Sequence, residues 1–279
     1  MSDVFFILVL SLAVIYCDFR GTKHNWGALF NGVGCIPAVL KGESMAPMQY
    51  RVLVPWICAL FGEGDKKPKY LIPYLGLRWI AITAALGCAH WCYYGNIAHT
   101  TLLALFFIIA ALFDYTDIYI EVALLAVFIM SLYSGHWWLL MLVVLFGVLN
   151  RETALVMPFI ALLSGQWGLT ILLSIAALIG LLLPRAYYGR VDRYTELNMI
   201  PENIERIVQH YKDRPVPYVE YTLFFVLCVL MVIAYIVGDW TPVSVATGLL
   251  FVALLIPTMW REIRVFAPSV MVMIPMVLS

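Results

Sequence analysis

Ten apolar segments separated by short polar stretches make up most of the chain. Their approximate bounds are 2–17, 71–94, 97–113, 118–133, 136–149, 153–165, 167–183, 221–238, 243–258 and 266–278. Apolar and polar residues do not alternate within them, so the pattern favours helices over the strands of a membrane barrel. Several hold only 13 to 16 residues, fewer than the ~20 that cross a hydrocarbon core about 30 Å thick. We therefore expect some short helices in a thinned or protein-lined region.

Two further stretches predict helices that lie at the membrane surface. Val52 to Gly62 is apolar, but at 11 residues with an internal Pro55 it is too short to cross, so it is interpreted as an interfacial or re-entrant helix. The connection 184–220 contains a second such helix, which opens at Pro201 and carries apolar residues on one side. The N-terminus lacks the basic region and cleavage site of a secretion signal and is interpreted as a retained first span.

The composition indicates a membrane protein. The chain of 279 residues is 63% hydrophobic and 12% charged, against about 45–50% and about 25% in soluble domains. A soluble core of this size cannot absorb so many apolar side chains. The predicted fold is an all-α polytopic transmembrane bundle of about ten spans, forming a single domain over 1–279, with interfacial helices in 18–70 and 184–220. The formal net charge of zero gives no reason to expect a nucleic-acid partner.

The charged residues collect on alternate connections. All 17 Lys and Arg, and 15 of the 17 Asp and Glu, lie in one set of connections or in a helix leaving it, Asp3 and Asp239 being the exceptions. We call the side formed by this set the charged face; its connections are 18–70, 114–119, 150–153, 184–220 and 260–264. The other set, the uncharged face, consists of short glycine-containing turns at 95–100, 134–136, 164–168 and 238–242.

Two candidate functional residues lie early on the charged face. Asp18 follows the first apolar segment. A carboxylate at a helix C-terminus meets the negative end of the helix dipole, which raises its basicity, so Asp18 is either a general base or a solvated boundary residue. Arg51 precedes the interfacial stretch, where its planar fork suits a phosphate or an ordinary lipid headgroup equally well.

Two aspartates in the sequence DYTDIYIEV are candidate metal ligands. Asp114 and Asp117 are three residues apart and would share one side of a helical turn. A divalent cation could use both carboxylates. The alternative is that Asp117 caps the following helix.

The sequence LFGVLNRETALVMPFI places three polar residues inside an apolar run. A tight hairpin would end one helix at Asn150 and put Glu152 in the first turn of the next, where the positive helix end favours an acid. A single helix over 136–163 would instead bury Arg151 near the membrane centre, at a cost of about 2.5–3.5 kcal/mol. The hairpin is the favoured interpretation, and its short halves indicate a water-filled cavity cut into the membrane.

Later connections add aromatic and charged candidates. Tyr187 and Tyr188 lie among arginines in 184–220, where they would stack on a sugar ring or anchor the chain at the interface. Arg261, Glu262 and Arg264 precede the last apolar segment, again on the charged face.

Taken together, these motifs resemble the GT-C class of integral-membrane glycosyltransferases. The resemblance consists of Asp18 after the first span, the stretch YRVLVPW, the DYTD turn, the hairpin NRETALVMP and the late turn WREIRVFAP. It implies transfer of a sugar from a polyprenyl-phosphate carrier to a lipid, glycan or protein acceptor, with the catalytic carboxylate at the position of Asp18. It also implies a cell-membrane location with the charged face extracytoplasmic, although the positive-inside tendency points the other way.

The resemblance assigns roles to the candidates. Asp18 would deprotonate the acceptor hydroxyl, and Glu152 would orient an arginine or the acceptor. The lipid-phosphate leaving group would be stabilised by an arginine, with Arg51, Arg151, Arg261 and Arg264 as candidates. Membrane lipids are expected partners, and a partner membrane protein would supply acceptor recognition, because the chain has no soluble C-terminal domain.

Two other functions fit the same charges. A small-solute transporter usually needs ionisable groups near mid-membrane, where this sequence offers few, His90 being the most suggestive. A non-catalytic lipid-binding subunit would use the arginines only to hold headgroups.

Overall fold

The computed structural model is helical in every regular element that it describes. The described residues are 2–22, 36–44, 52–60, 68–110, 117–189, 201, 204–205, 208, 219–255 and 266–278. They divide into two compact units, Met1–Tyr194 and Thr195–Ser279. The predicted all-α class is therefore confirmed for this part of the chain.

Nine α-helices lie within the described residues of unit 1. They are α1 (Ser2–Thr22), α2 (Ile36–Lys41), α3 (Leu53–Ala59), α4 (Pro68–Ala89), α5 (Ile97–Ala110), α6 (Asp117–Ser134), α7 (Trp137–Asn150), α8 (Val156–Leu163) and α9 (Trp167–Tyr188). A π-helical segment, His90–Tyr94, prolongs α4, and a 3₁₀ turn, Glu152–Leu155, precedes α8. The helix pairs α6–α7 and α8–α9 are joined through Gly135 and Gly165, whose positive φ angles of 76° and 75° suit glycine.

The longer helices in the described part of unit 2 are α10 (Val219–Val237), α11 (Pro242–Leu254) and α12 (Ala267–Leu278). Thr241 starts α11 with a capping box, in which its hydroxyl accepts from Ser244 N while the Ser244 hydroxyl accepts from Thr241 N. The aromatic ring of Phe266 packs against Phe224 and Phe251, with centroids 5.9 and 4.7 Å away. Within the predicted helix after Pro201, the described residues Ile204, Glu205 and Val208 are helical and exposed.

Each of the ten predicted apolar segments corresponds to a helix in the same place. By length and composition, two stretches among the described residues could cross a membrane, Tyr74–Tyr94 and Trp167–Tyr188. The other helices of the set are apolar but shorter. This agrees with the expectation that several helices are too short to cross an unperturbed bilayer.

Two contacts fix the direction of α1 against α4 and the π-helical segment that prolongs it. Asp3 Oδ2 lies 3.8 Å from His90 Nε2 at one end, and the Trp79 indole donates to Ser11 Oγ at 3.2 Å in the middle. Thus α1 runs antiparallel to α4. Asp18 comes seven residues after Ser11, about 10 Å further along the helix. The α1 backbone at Asp18 therefore lies towards the end of the unit where α4 begins.

Candidate functional site

The chain breaks between α7 and α8 at the predicted position. Helix α7 ends at Asn150, Arg151 is extended with φ −156° and ψ 143°, and the 3₁₀ turn starts at Glu152. The Arg151 N–H still donates to Gly147 O at 2.7 Å, which closes the last turn of α7. The predicted break is thus confirmed, and the alternative of one continuous helix is wrong.

A glycine allows the chain to fold back after this break. A Cβ built on Gly147 would lie 2.9 Å from the Ala154 Cβ and 3.6 Å from the Met157 Cε. Real Cβ atoms essentially never come as close as the first of these distances. The lack of a side chain at Gly147 therefore brings the 3₁₀ turn and α8 directly against α7.

We expect Gly147→Ala to destabilise the protein by roughly 1–3 kcal/mol, because the added methyl overpacks this contact. Thermal unfolding in detergent micelles would measure the loss. Gly76→Ala is the matched control, since a Cβ there meets nothing within 4 Å and alanine favours a helix over glycine. Equal stability of the Gly147 variant and wild type would contradict the packing argument.

Arg151 is buried and paired with a residue of another helix. Its side chain Nε lies 3.5 Å from Glu121 Oε2, and the two residues are 3% and 2% exposed. The Thr153 hydroxyl donates to Glu121 Oε1 from the other side of the turn. Arg151 is therefore packed inside the structure, where a carboxylate from α6 offsets its charge.

The residues on either side of Arg151 differ in exposure. Asn150 is 1% exposed, whereas Glu152 is half-buried at the start of the 3₁₀ turn. Its position in the first turn agrees with the predicted preference of an acid for the positive end of a helix. Of the three predicted residues in this turn, Glu152 is the one nearest to solvent.

A second buried arginine lies against the first turn of α6. Arg78 of α4 is 2% exposed, and its Nη1 donates to the Tyr74 hydroxyl at 3.1 Å. Its guanidinium carbon lies 5.9 Å from the centroids of both the Tyr74 and Tyr119 rings, within cation–π range. Tyr119 and Glu121 are both on the first turns of α6, so this one helix contacts both buried arginines.

The interfacial stretch docks beside the turn. Val52 N donates to Leu149 O at 3.1 Å, and Val52, Leu149 and Val39 form a small buried cluster. Trp56 of α3 packs on the same cluster. The chain that follows Arg51 therefore lies directly against the end of α7, on the charged face.

The two predicted tyrosines belong to the last turn of α9 and not to the connection that follows it. Tyr188 packs on the cluster of Val39, Val52 and Leu149, and its hydroxyl accepts from the Trp56 indole at 3.4 Å. Tyr187 is 75% exposed and lies edge-on to Tyr188, with ring centroids 4.7 Å apart. Of the pair, only Tyr187 offers a ring surface to a ligand.

Cys58 in α3 is not suited to act as a nucleophile. Burial raises the pKa of its thiol to about 11, so the thiolate is scarce near neutral pH. The chemistry of this region therefore rests on its carboxylates and arginines.

Several predicted site residues fall outside the described part of the chain. The backbone of Asp18 lies in α1, which continues to Thr22, so Asp18 precedes the helix end by one turn; its side chain is not described. Asp117 is the first residue of α6, and its side chain is likewise not described. The residues wholly outside are Arg51, Asp114, Arg261, Glu262 and Arg264. Among the side chains that are described, no group of three or more His, Cys, Asp or Glu could hold a metal ion.

Glu121 and Arg78 are the residues that sequence reasoning missed. Each is the only Asp, Glu, Lys or Arg in its apolar segment, 118–133 and 71–94 respectively. A lone charged residue in such a segment is costly unless it is paired. Its presence in the sequence was therefore the signal that could have predicted a buried pairing.

Comparison with known proteins assigns no family. No family model, no curated protein and no solved structure matches the chain.

Proposed function

We propose that the chain is a polytopic membrane glycosyltransferase. Its ten apolar helices would lie in the membrane, with the charged face extracytoplasmic. The donor would be a polyprenyl-phosphate-linked sugar and the acceptor a hydroxyl of a lipid, glycan or protein. Asp18 would be the general base and Glu152 an orienting carboxylate.

The observation that carries this proposal is the convergence of polar elements at one end of unit 1. The charged turn at Arg151 contacts α6 through Glu121 and α3 through the adjoining Leu149. Helix α1 runs towards this end, because its pairing with α4 puts Asp3 at the opposite end, beside His90. This convergence at one end of the unit supports a reaction on a lipid headgroup at one membrane boundary.

The proposed reaction is a substitution at the anomeric carbon of the donor sugar. The acceptor oxygen attacks the anomeric carbon of the sugar, and its proton passes to Asp18. The bond from that carbon to the phosphate oxygen breaks, and the polyprenyl phosphate leaves with the bonding electrons. Arg51, Arg261 and Arg264 of the charged face would stabilise the developing negative charge, whereas the buried Arg151 would hold the turn in place through Glu121.

A non-catalytic lipid-binding subunit is the second candidate. Its support is the same ion pair, because a buried arginine already offset by Glu121 is also what a purely structural role requires. This subunit would bind carrier lipids through the charged face and transfer nothing.

Reconstitution separates the two candidates. Purified protein in liposomes would be given a panel of radiolabelled polyprenyl-phosphate sugars and a lipid extract as acceptor. Sugar transfer supports the enzyme, and binding without transfer supports the subunit. If the protein neither binds nor transfers any sugar of the panel, both candidates are contradicted. Uptake driven by an ion gradient would indicate a transporter instead.

A further inference from the structure

A groove runs between α8 and α9. It encloses about 370 Å³ and is lined mainly by apolar side chains, a volume within the usual range of ligand sites. Helix α8 leads away from the charged turn, and α9 returns after Gly165. Leu155 and Leu181 therefore line the groove near the charged face, whereas Leu162 and Thr170 line it near the uncharged face.

Arg185 lies one helical turn beyond Leu181, at the charged-face end of this groove. Ser174, Leu178 and Leu181 line the groove from α9, and Arg185 continues their spacing of four, three and four residues along one side of the helix. The Arg185 Nη1 donates to Leu181 O at 2.7 Å. The guanidinium is thus drawn back to the level of Leu181, at the head of the apolar groove. Arg185 is the only charged residue in α9.

The length of the groove matches one leaflet of a membrane. On α9 the lining runs from Leu181 to Thr170, eleven residues, or about 16 Å of helix, against about 15 Å for half of a ~30 Å hydrocarbon core. Ser174 and Thr170, in the half nearer the uncharged face, bring hydroxyl groups to the lining. The outer surface of α9 exposes Ile171, Ile175 and Leu182, so the groove opens onto a surface suited to hydrocarbon.

We infer that the groove is a binding site for an anionic glycerophospholipid. One acyl chain lies between α8 and α9, and the phosphate pairs with Arg185. An apolar channel of one-leaflet length with a guanidinium at its head complements such a lipid in both shape and charge. The site is separate from the sugar-transfer proposal and does not depend on it.

Photo-crosslinking of the wild-type protein tests the location of the chain. The protein would be reconstituted in phosphatidylcholine vesicles with a small share of phosphatidylglycerol that carries a diazirine midway along one acyl chain. We expect crosslinks to concentrate on Phe159, which is half-buried in the groove. Equal labelling of the exposed Ile171 and Ile175 would overturn the inference, because it would indicate only general contact with lipid.

Variants test the two halves of the site. Arg185→Gln should reduce crosslinking roughly tenfold, and Arg185→Lys should retain most of it. Ser174→Phe should block the groove, whereas Ile175→Phe, on the exposed side of the same helix, should not. Unchanged labelling in Arg185→Gln would contradict the role of the cation. Displacement of the probe by polyisoprenyl phosphate but not by excess phosphatidylglycerol would show that the occupant is a different lipid.

Discussion

Replacing Glu121 by glutamine is expected to destabilise the protein by about 3–5 kcal/mol, the usual effect of removing one partner from a buried ion pair. Glu121 and Arg151 are both almost fully buried, with 3.5 Å between Oε2 and Nε. Glutamine keeps the shape of the side chain but removes the carboxylate charge that faces the buried Arg151 guanidinium. Thermal and denaturant unfolding of the purified protein in detergent would measure the loss.

The double variant Glu121→Gln, Arg151→Met isolates the electrostatic part of this effect. It removes both charges, so most of the stability lost in Glu121→Gln should return. Glu152→Gln is the matched control, because Glu152 is the sequence neighbour of Arg151 but only half-buried; it should change stability by less than about 1 kcal/mol. A double variant no more stable than Glu121→Gln would contradict the assignment of the ion pair as the cause.

The helices could be predicted from the sequence because their signal is local. Each apolar segment ends at polar residues, and the predicted segments 136–149 and 167–183 correspond to Trp137–Asn150 and Trp167–Tyr188. The second of these shows the limit of that signal. Arg185 and Pro184 suggest a helix end, but α9 continues through both to Tyr188. Proline lacks the backbone N–H that would donate to the carbonyl of Gly180, four residues earlier, but it does not end the helix here.

The pairing of charges could not be predicted, because it depends on which helices are neighbours. Arg151 and Glu121 are 30 residues apart in the sequence, and nothing local links them. The sequence alone offered no partner for Arg151 on another helix. The packing of α6 against α7 brings Glu121 to the turn, where its carboxylate offsets the cost of burying the Arg151 charge. The same contact explains why a helix as short as α8 begins so close to a charged residue.

The position of α1 explains why substitution of Asp18, near the end of this helix, is expected to have a large effect on the proposed reaction. The contacts of Asp3 with His90 and of Ser11 with Trp79 hold α1 at a fixed height against α4. A carboxylate in the last turns of a helix meets the negative end of the helix dipole, which favours its protonated form and makes it a stronger base. In the proposed enzyme this residue, Asp18, receives the proton of the acceptor hydroxyl.

We therefore expect Asp18→Asn to lower the rate of sugar transfer by roughly 10²–10⁴-fold, the usual contribution of a general base. Asparagine is nearly isosteric but cannot accept the proton, so donor binding and folding should be preserved. The measurement is kcat for transfer in liposomes, with donor affinity and thermal unfolding determined on the same preparation. Asp3→Asn, at the opposite end of the same helix, is the control and should retain most of the activity. Full transfer by the Asp18 variant would exclude this carboxylate as the base, whereas an equal loss in both variants would indicate that α1 had merely shifted.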